Sequence, residues 1–401
     1  MCILSLEHCC NSEYLVLGMK RMKLWFFIAG VLMAFAVAAA DKVTVGMYAD
    51  YGARGGGVMG WAKILSNSPQ IDLILLDVAD IRAGKLKECD VLLMPGGLTG
   101  HEFRTLGPEG VETVRKYVAD GGRYIGICAG CGLAMNIKIG LRLVNCGNFQ
   151  NTDRGQACLL VRINKEGSEM LGVKPGIYGI QYAGGPIPDF TRAEKEWDGK
   201  HTVLATYEST LGKIRYTKKD GVVKTYKHPL MYGYPAMVFA TFGKGKVLIS
   251  GPHPEKYEST YPIALGYIHA VTGVKCTYVA PKLGRRPIRV AFLGGAMTGK
   301  DAFRALIDLY KSPELDVYPG ADFGMAGSLD HADVLVLPDG SSKNYSSRIG
   351  KSDLAYIRKF QDRGGMVFAF GEGVKYLPVH RNSRAVKSWS ELKTDIIKSF
   401  E

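Results

Sequence analysis

The chain has no zinc-finger spacing, no aromatic RNP strand and no Lys/Arg-rich block. Its 51 Lys+Arg against 38 Asp+Glu nevertheless give a net charge of +13. Such an excess favours encounters with acidic surfaces or polymers. Without a motif that reads bases it does not make a nucleic-acid-binding protein, and no nucleic acid partner is expected. Also missing are a Gly-X-Y period among the 50 glycines and a dense framework among the nine cysteines. The first absence excludes a collagen-like fibre and leaves the glycines to turns, loops and close backbone approaches. The second suits a chain of 401 residues, long enough to build a core without covalent staples. With 47% hydrophobic and 22% charged residues, the chain is not of a disordered composition. His201, His228, His269, His331 and His380 show no ligand spacing, so neither metal nor cofactor is expected.

The run Leu24–Ala40, seventeen residues without a charge, falls short of the ~20 residues of a membrane helix. Met19-Lys20-Arg21-Met22-Lys23 precedes it and Ala38-Ala39-Ala40 closes it. A basic start, an apolar run and a small-residue end predict a secretory signal peptide over 1–40, with a natural start at Met19 or Met22. No Cys follows the alanines, which argues against a lipoprotein. The expectation is a secreted or periplasmic protein with no stable membrane span after cleavage. Cys89, Cys128, Cys131, Cys146, Cys158 and Cys276 then remain. Their even number permits disulfides without fixing a pairing, and Cys146 and Cys158 flank a polar loop that a local bridge would close.

After the leader, apolar β-branched runs alternate with helical patterns. Val43–Tyr48, Ile71–Leu76, Asp90–Met94 and Tyr124–Ile127 read as strands, Asp50–Gly60 as a Gly-rich loop, Trp61–Leu65 and Val111–Val118 as helix. This predicts an α/β fold with a doubly wound, mostly parallel, flavodoxin-like sheet. The last third repeats the pattern. Asp333-Val334-Leu335 mirrors Asp90-Val91-Leu92, and Gly364-Gly365 mirrors Gly121-Gly122, at a constant offset of 243. Over 89–130 against 332–373 there are 11 identities in 42 without a gap, which favours a duplicated domain. Between 150 and 250 the chain is charged and Tyr-rich, as in Thr191–Lys200 and Lys213–Lys227, and reads as a β-rich insertion or lid. The expected organisation is a first domain at 41–280, a linker at 281–287 and a degenerate copy at 288–401.

Gly126-Ile127-Cys128-Ala129-Gly130 follows directly on the fourth strand. A Gly-x-nucleophile-x-Gly sequence at a strand-to-helix junction forms a strained turn that exposes the nucleophile. The helix start behind it favours a thiolate. Ala129 N–H points where an oxyanion would form, and Gly97 N–H in Pro95-Gly96-Gly97 is a second candidate donor. His253 in Ser250-Gly251-Pro252-His253-Pro254-Glu255 is the candidate base. In extended chain, residues two apart face the same side, so Glu255 would orient the imidazole.

These residues, together with Gln181-Tyr182-Ala183-Gly184-Gly185-Pro186, resemble the class I glutamine amidotransferase-like superfamily over about 42–275. Within it the chain is most similar to the N-terminal domain of biotin–protein ligase, a domain also found in exported bacterial proteins. The resemblance implies a Cys128–His253–Glu255 triad, with Gly96, Tyr182, Gly184 and Gly185 as substrate-binding positions. Three departures stand out. Glutaminases of the superfamily usually carry Gln where this chain has Gly132. Their synthase partner is normally cytoplasmic, and no biotin-ligase catalytic module follows here. In the C-terminal copy Gly371 stands at the position of Cys128, Glu372 at that of Ala129, and no His-Pro-Glu follows, so that copy is expected to be catalytically dead.

The sequence thus supports an exported amidohydrolase acting on a small-molecule or peptide substrate. The alternative is a non-catalytic protein that binds a ligand or peptide in the same pocket. A glutaminase is opposed by the leader and Gly132. A dithiol redox protein using Cys128-Ala129-Gly130-Cys131 lacks the thioredoxin neighbours, and Cys131 reads as a packing residue. Arg54 and Gly55-Gly56-Gly57 are a weak anion-cradle signal. Oligomeric state is not legible.

Overall fold

The computed structural model describes residues 42–53, 55–149, 155–197, 199–210, 213–217, 223–227, 231–319, 327–346 and 349–401. The expected leader at 1–40, Arg54 and His228 lie outside them. No helix among the described residues is long and apolar enough to cross a membrane.

Short apolar strands form the centre. β1 (Val43–Tyr48), β2 (Ile71–Leu76), β3 (Val91–Met94) and β4 (Arg123–Ile127) are the four strands read from the sequence. They continue into β5 (Gln156–Ile163), β6 (Gly176–Ala183), β7 (His201–Tyr207), β8 (Pro235–Phe242) and β9 (Gly245–Ser250). The nine form one sheet in the order β2-β1-β3-β4-β9-β8-β7-β5-β6. The first five are parallel, in the doubly wound 2-1-3-4-5 order, and the other four add on antiparallel. β3 and β4 are buried along nearly their whole length, as parallel strands covered on both faces must be. β5 alternates buried and exposed residues, as a strand with one wet face does.

The 150–250 stretch is therefore β-rich, but it is not a separate lid. Its long strands extend the central sheet, because the antiparallel hairpin of β8 and β9 offers them an edge to pair with. The Gly-rich segment also differs from a plain loop. Helix α1 (Gly55–Ser66) begins within it, six residues before the first apolar position of the expected helix. Further helices are α2 (Thr99–Ala119), α3 (Ala129–Ala134), α4 (Tyr261–Thr272) and α5 (Lys300–Tyr310).

After a stretch without helix or strand at 281–287, a second sheet is built from β10 (Ile288–Phe292), β11 (Leu315–Pro319), β12 (Val334–Leu337), β13 (Met366–Ala369) and β14 (Ser383–Ala385). All five are parallel, in the order β11-β10-β12-β13-β14, matching β2-β1-β3-β4-β9 strand for strand. Local contacts match too. Asp90 accepts the Thr44 N–H at 2.9 Å, and Asp333 the Arg289 N–H at 2.9 Å. One face of the second sheet, with Val290, Phe292, Val334 and Val336, joins the core of the first. The opposite face, with Leu335, Leu337 and Val367, closes a smaller core of its own. Lys300, at the start of α5, reaches Asp77 Oδ2 at 2.7 Å and Asp80 Oδ2 at 2.6 Å across the junction.

Candidate active site

Because β3, β4 and β9 are parallel neighbours, the segments leaving their carboxyl ends converge. Those segments are Pro95-Gly96-Gly97, Cys128 and Gly251–Glu255. Strands lie about 5 Å apart, so residues far apart in sequence come within bonding reach.

Cys128 has φ 50° and ψ −101°, a conformation costly for any residue with a Cβ. It is held there by its N–H, which donates to Ser250 O at 2.8 Å, and by the start of α3 behind it. The flanking glycines are sterically required. A Cβ on Gly126 would lie 2.3 Å from Gly130 O, and one on Gly130 2.2 Å from Met94 O. The N–H groups of Gly97 and Ala129 donate to no acceptor among the described residues.

His253 is anchored by its N–H, which donates to Gln181 O at 2.7 Å. β6 lies at the far edge of the sheet and curls back to make this bridge. His253 Nδ1 lies 2.6 Å from Glu255 Oε1, a pairing in which the nitrogen donates. The two side chains meet across a short 3-10 turn, Pro254–Lys256, and not along the extended strand expected from their spacing. The proline after His253 starts that turn, which brings position 255 round to Nδ1. Cys128 is 8% exposed, His253 4% and Glu255 0%. Burial weighs most heavily on the imidazole and disfavours its charge. Glu255 and the Cys128 sulfur outweigh it, and the His253 pKa is pushed up to about 10. Nε2 is buried with no well-formed hydrogen bond, so Cys128 acts on it through proximity and charge.

Gly96 closes one wall: a Cβ there would lie 2.7 Å from His253 Cε1 and 3.6 Å from Cys128 Cβ. Gly97 is pressed against Gly52, with 1.9 Å from its would-be Cβ to Gly52 O. Tyr182 is fully buried, and its hydroxyl donates to Gly185 O at 2.7 Å. It braces the loop carrying Gly184 (φ 73°) and Gly185, which packs on Gly251 beneath the histidine.

Two features are absent from the sequence reading. Helix α1 lies directly on the His–Glu pair. A Cβ on Gly57 would lie 2.8 Å from Glu255 Oε1, and one on Gly60 2.2 Å from Glu255 O. Gly57 and Gly60 stand three apart, on one helix face, and that spacing was the available signal. Glu102, in the first turn of α2, is fully buried with neither carboxyl oxygen hydrogen-bonded. Burial, and secondarily the Cys128 charge, hold its carboxyl well above the usual range.

Cys131 is fully buried, and burial raises its thiol pKa well above the ordinary value, which disfavours dithiol exchange. Cys146 and Cys158 are not bonded to each other. Among the described residues no group of three His, Cys, Asp or Glu could hold a metal ion.

Residues 82–137, which include the Pro-Gly-Gly loop and the Cys128 turn, match the family described as biotin-protein ligase, N terminal. Pyridoxal 5'-phosphate synthase subunit PdxT of Halorubrum lacusprofundi is 34% identical over 90 residues, 22% of this chain and 40% of that protein. These matches support a class I glutamine amidotransferase-like superfamily with similarity to the biotin-protein ligase N-terminal domain. PdxT of Halobacterium salinarum is 46% identical over 56 residues, 14% of this chain and 28% of its own length. The chain thus matches well under half the length of these relatives. Among solved structures, PurLQS from Thermotoga maritima aligns at TM-score 0.40 and 16% identity, covering 57% of this chain and 98% of that one. A ThuA-like protein from Bacteroides uniformis aligns at 0.41 and 15%, covering 58% and 93%.

The Gln absent at position 132 has a steric counterpart. A Cβ on Gly132 would lie 2.9 Å from Thr99 Oγ1 and 3.2 Å from Pro186 Cγ. The space beside the turn is already filled.

Proposed function

We propose that the chain is an exported cysteine amidohydrolase using Cys128, His253 and Glu255. The observation that carries this reading is the meeting of a strained Cys128 with a buried His253–Glu255 pair 2.6 Å apart. Two unpaired N–H groups lie on the same sheet edge. In the proposed reaction the proton shared by Cys128 and His253 resides on Nε2, and Cys128 Sγ adds to an amide or ester carbonyl carbon. The new oxyanion accepts from Gly97 and Ala129 N–H. The C–N or C–O bond then breaks as Nε2 gives its proton to the leaving group, and a thioester remains. Water adds to the thioester, gives a proton to Nε2, and releases a carboxylic acid. Glu255 holds the imidazole by Nδ1 throughout.

Gly132, with Thr99 and Pro186 against it, speaks against glutamine as the substrate. The basic start, apolar run and Ala-rich end expected to form a leader over 1–40 support export, and the matching strand orders support descent of the C-terminal unit by duplication. The test is incubation with a panel of activated esters and peptide amides, read by intact mass. A hydroxylamine-labile acyl adduct on Cys128, absent in Cys128→Ala and much reduced in His253→Ala, is the expected result. Failure of every member to acylate Cys128, with iodoacetamide reacting no faster there than at exposed Cys158, would favour the non-catalytic binding protein.

A further inference from the structure

The C-terminal unit repeats close contacts around the site, with Gly340, Gly371 and Gly373 standing 243 residues after Gly97, Cys128 and Gly130, and Ala296 standing 244 after Gly52. A Cβ on Gly97 would lie 1.9 Å from Gly52 O, and one on Gly340 2.0 Å from Ala296 O. A Cβ on Gly130 would lie 2.2 Å from Met94 O, and one on Gly373 2.3 Å from Leu337 O. Cys128 has φ 50° and its counterpart Gly371 φ 58°. The two positions share a left-handed φ, and the second carries no side chain.

One thing has changed. The counterparts of the unpaired Gly97 and Ala129 N–H groups are those of Gly340 and Glu372, and both are paired. Each donates to the same oxygen, Asp339 Oδ1, at 2.9 and 2.8 Å. Asp339 stands at the position of Gly96, where any side chain would strike His253 Cε1. The C-terminal unit has no such histidine, so the position is free to carry one. The same Oδ1 would lie 2.1 Å from a Cβ on Gly371, so carboxylate and nucleophile side chain exclude one another.

We propose that Asp339 is an internal oxyanion, a side-chain carboxylate that permanently fills the C-terminal unit's N–H pair where a substrate oxygen would otherwise bind. Two N–H groups on one charged oxygen are charge-assisted bonds of the stronger kind. They tie the end of β12 to the turn after β13. The unit has exchanged a place for ligand for a strut. This goes beyond the hydrolase reading and stands even if Cys128 turns nothing over.

Hydrogen exchange on the full chain tests it. In the wild type, the Gly340 and Glu372 amides are expected to exchange about 100-fold more slowly than in Asp339→Ala. Asp339→Asn, whose amide oxygen accepts the same bonds, keeps most of that protection. In Asp339→Gly the vacated pair accepts an added carboxylate, so acetate raises its Tm by about 3 °C more than equimolar chloride does, and leaves the wild type unmoved. Fast exchange of both amides in the wild type would overturn the proposal, as would an equal acetate response in the two proteins. Should the Ala and Gly variants not fold, exchange in the wild type and Asp339→Asn decides the matter alone.

Discussion

Gly57→Ala sets two effects of opposite sign against each other. In a free helix the change stabilises by about 0.5–1 kcal/mol, because glycine loses more backbone freedom on folding. Gly57 sits in the first turn of α1, where that gain is smallest. Against it, the new Cβ would lie 2.8 Å from Glu255 Oε1 and 3.2 Å from His253 Nδ1, where ordinary contact begins near 3.4 Å. Glu255 must therefore give about 0.6 Å, yet it is fully buried and already 2.6 Å from Nδ1. Loosening a charge-assisted bond in such a setting costs about 1.5–3 kcal/mol, so the net effect is a loss of about 1–2 kcal/mol. The imidazole also loses its orientation, and iodoacetamide should alkylate Cys128 about tenfold more slowly. Urea unfolding at neutral pH reads the first quantity and labelling followed by mass spectrometry the second. Gly60→Ala should destabilise more, because its Cβ meets the Glu255 backbone at 2.2 Å and a backbone oxygen cannot swing aside. A Gly57→Ala protein as stable as the wild type, with unchanged labelling, would refute the packing of α1 on the His–Glu pair.

Three further outcomes are expected. Cys128→Gly should be more stable than Cys128→Ser by about 1 kcal/mol in urea, because φ 50° is cheap only for glycine; a less stable Gly variant would show that the turn stores no strain. The His253 pKa, raised to about 10 in the fold, means that the protonated imidazole is what the fold favours. Its contribution is whole below the unfolded value near 6.5 and is lost as pH rises toward 10, at up to about 1.4 kcal/mol per pH unit. His253→Gln should flatten that fall in urea midpoints, and identical slopes for the two proteins would count against the pairing. For Glu102 the sign is the same but the cause is a buried neutral acid. Glu102→Gln should gain stability relative to the wild type as pH rises above the ordinary carboxyl range, and a gap that shrinks with pH would refute the burial argument.

Much of the first domain was legible because its signals are local. Val91–Met94 is a continuous apolar run closed by Pro95, and Tyr124–Ile127 is an uncharged, buried run opened by the Gly121-Gly122 turn, as buried parallel strands require. Cys128 between Gly126 and Gly130 was legible for the same reason, since the turn is specified by the residues that form it. The start of α1 was not, because Gly55-Gly56-Gly57 is a poor helix former in isolation and is helical through what it packs on. The destination of the 150–250 strands was equally hidden. Alternation predicts a strand with one wet face, but not which sheet edge it joins.

By itself, the sequence determined the strand–helix alternation, the residue types at the candidate site and the unbroken offset of 243, all properties of neighbours in the chain. Only the tertiary structure decided which groups face one another. It bent Glu255 back onto His253 through a 3-10 turn, laid Gly57 and Gly60 on that pair, and set Asp339 between two N–H groups. The physical reason is common to all three. Each depends on backbone approaches near van der Waals contact between segments tens or hundreds of residues apart, or on a local turn whose direction the surrounding core dictates, and close packing settles such approaches only when the whole domain is assembled.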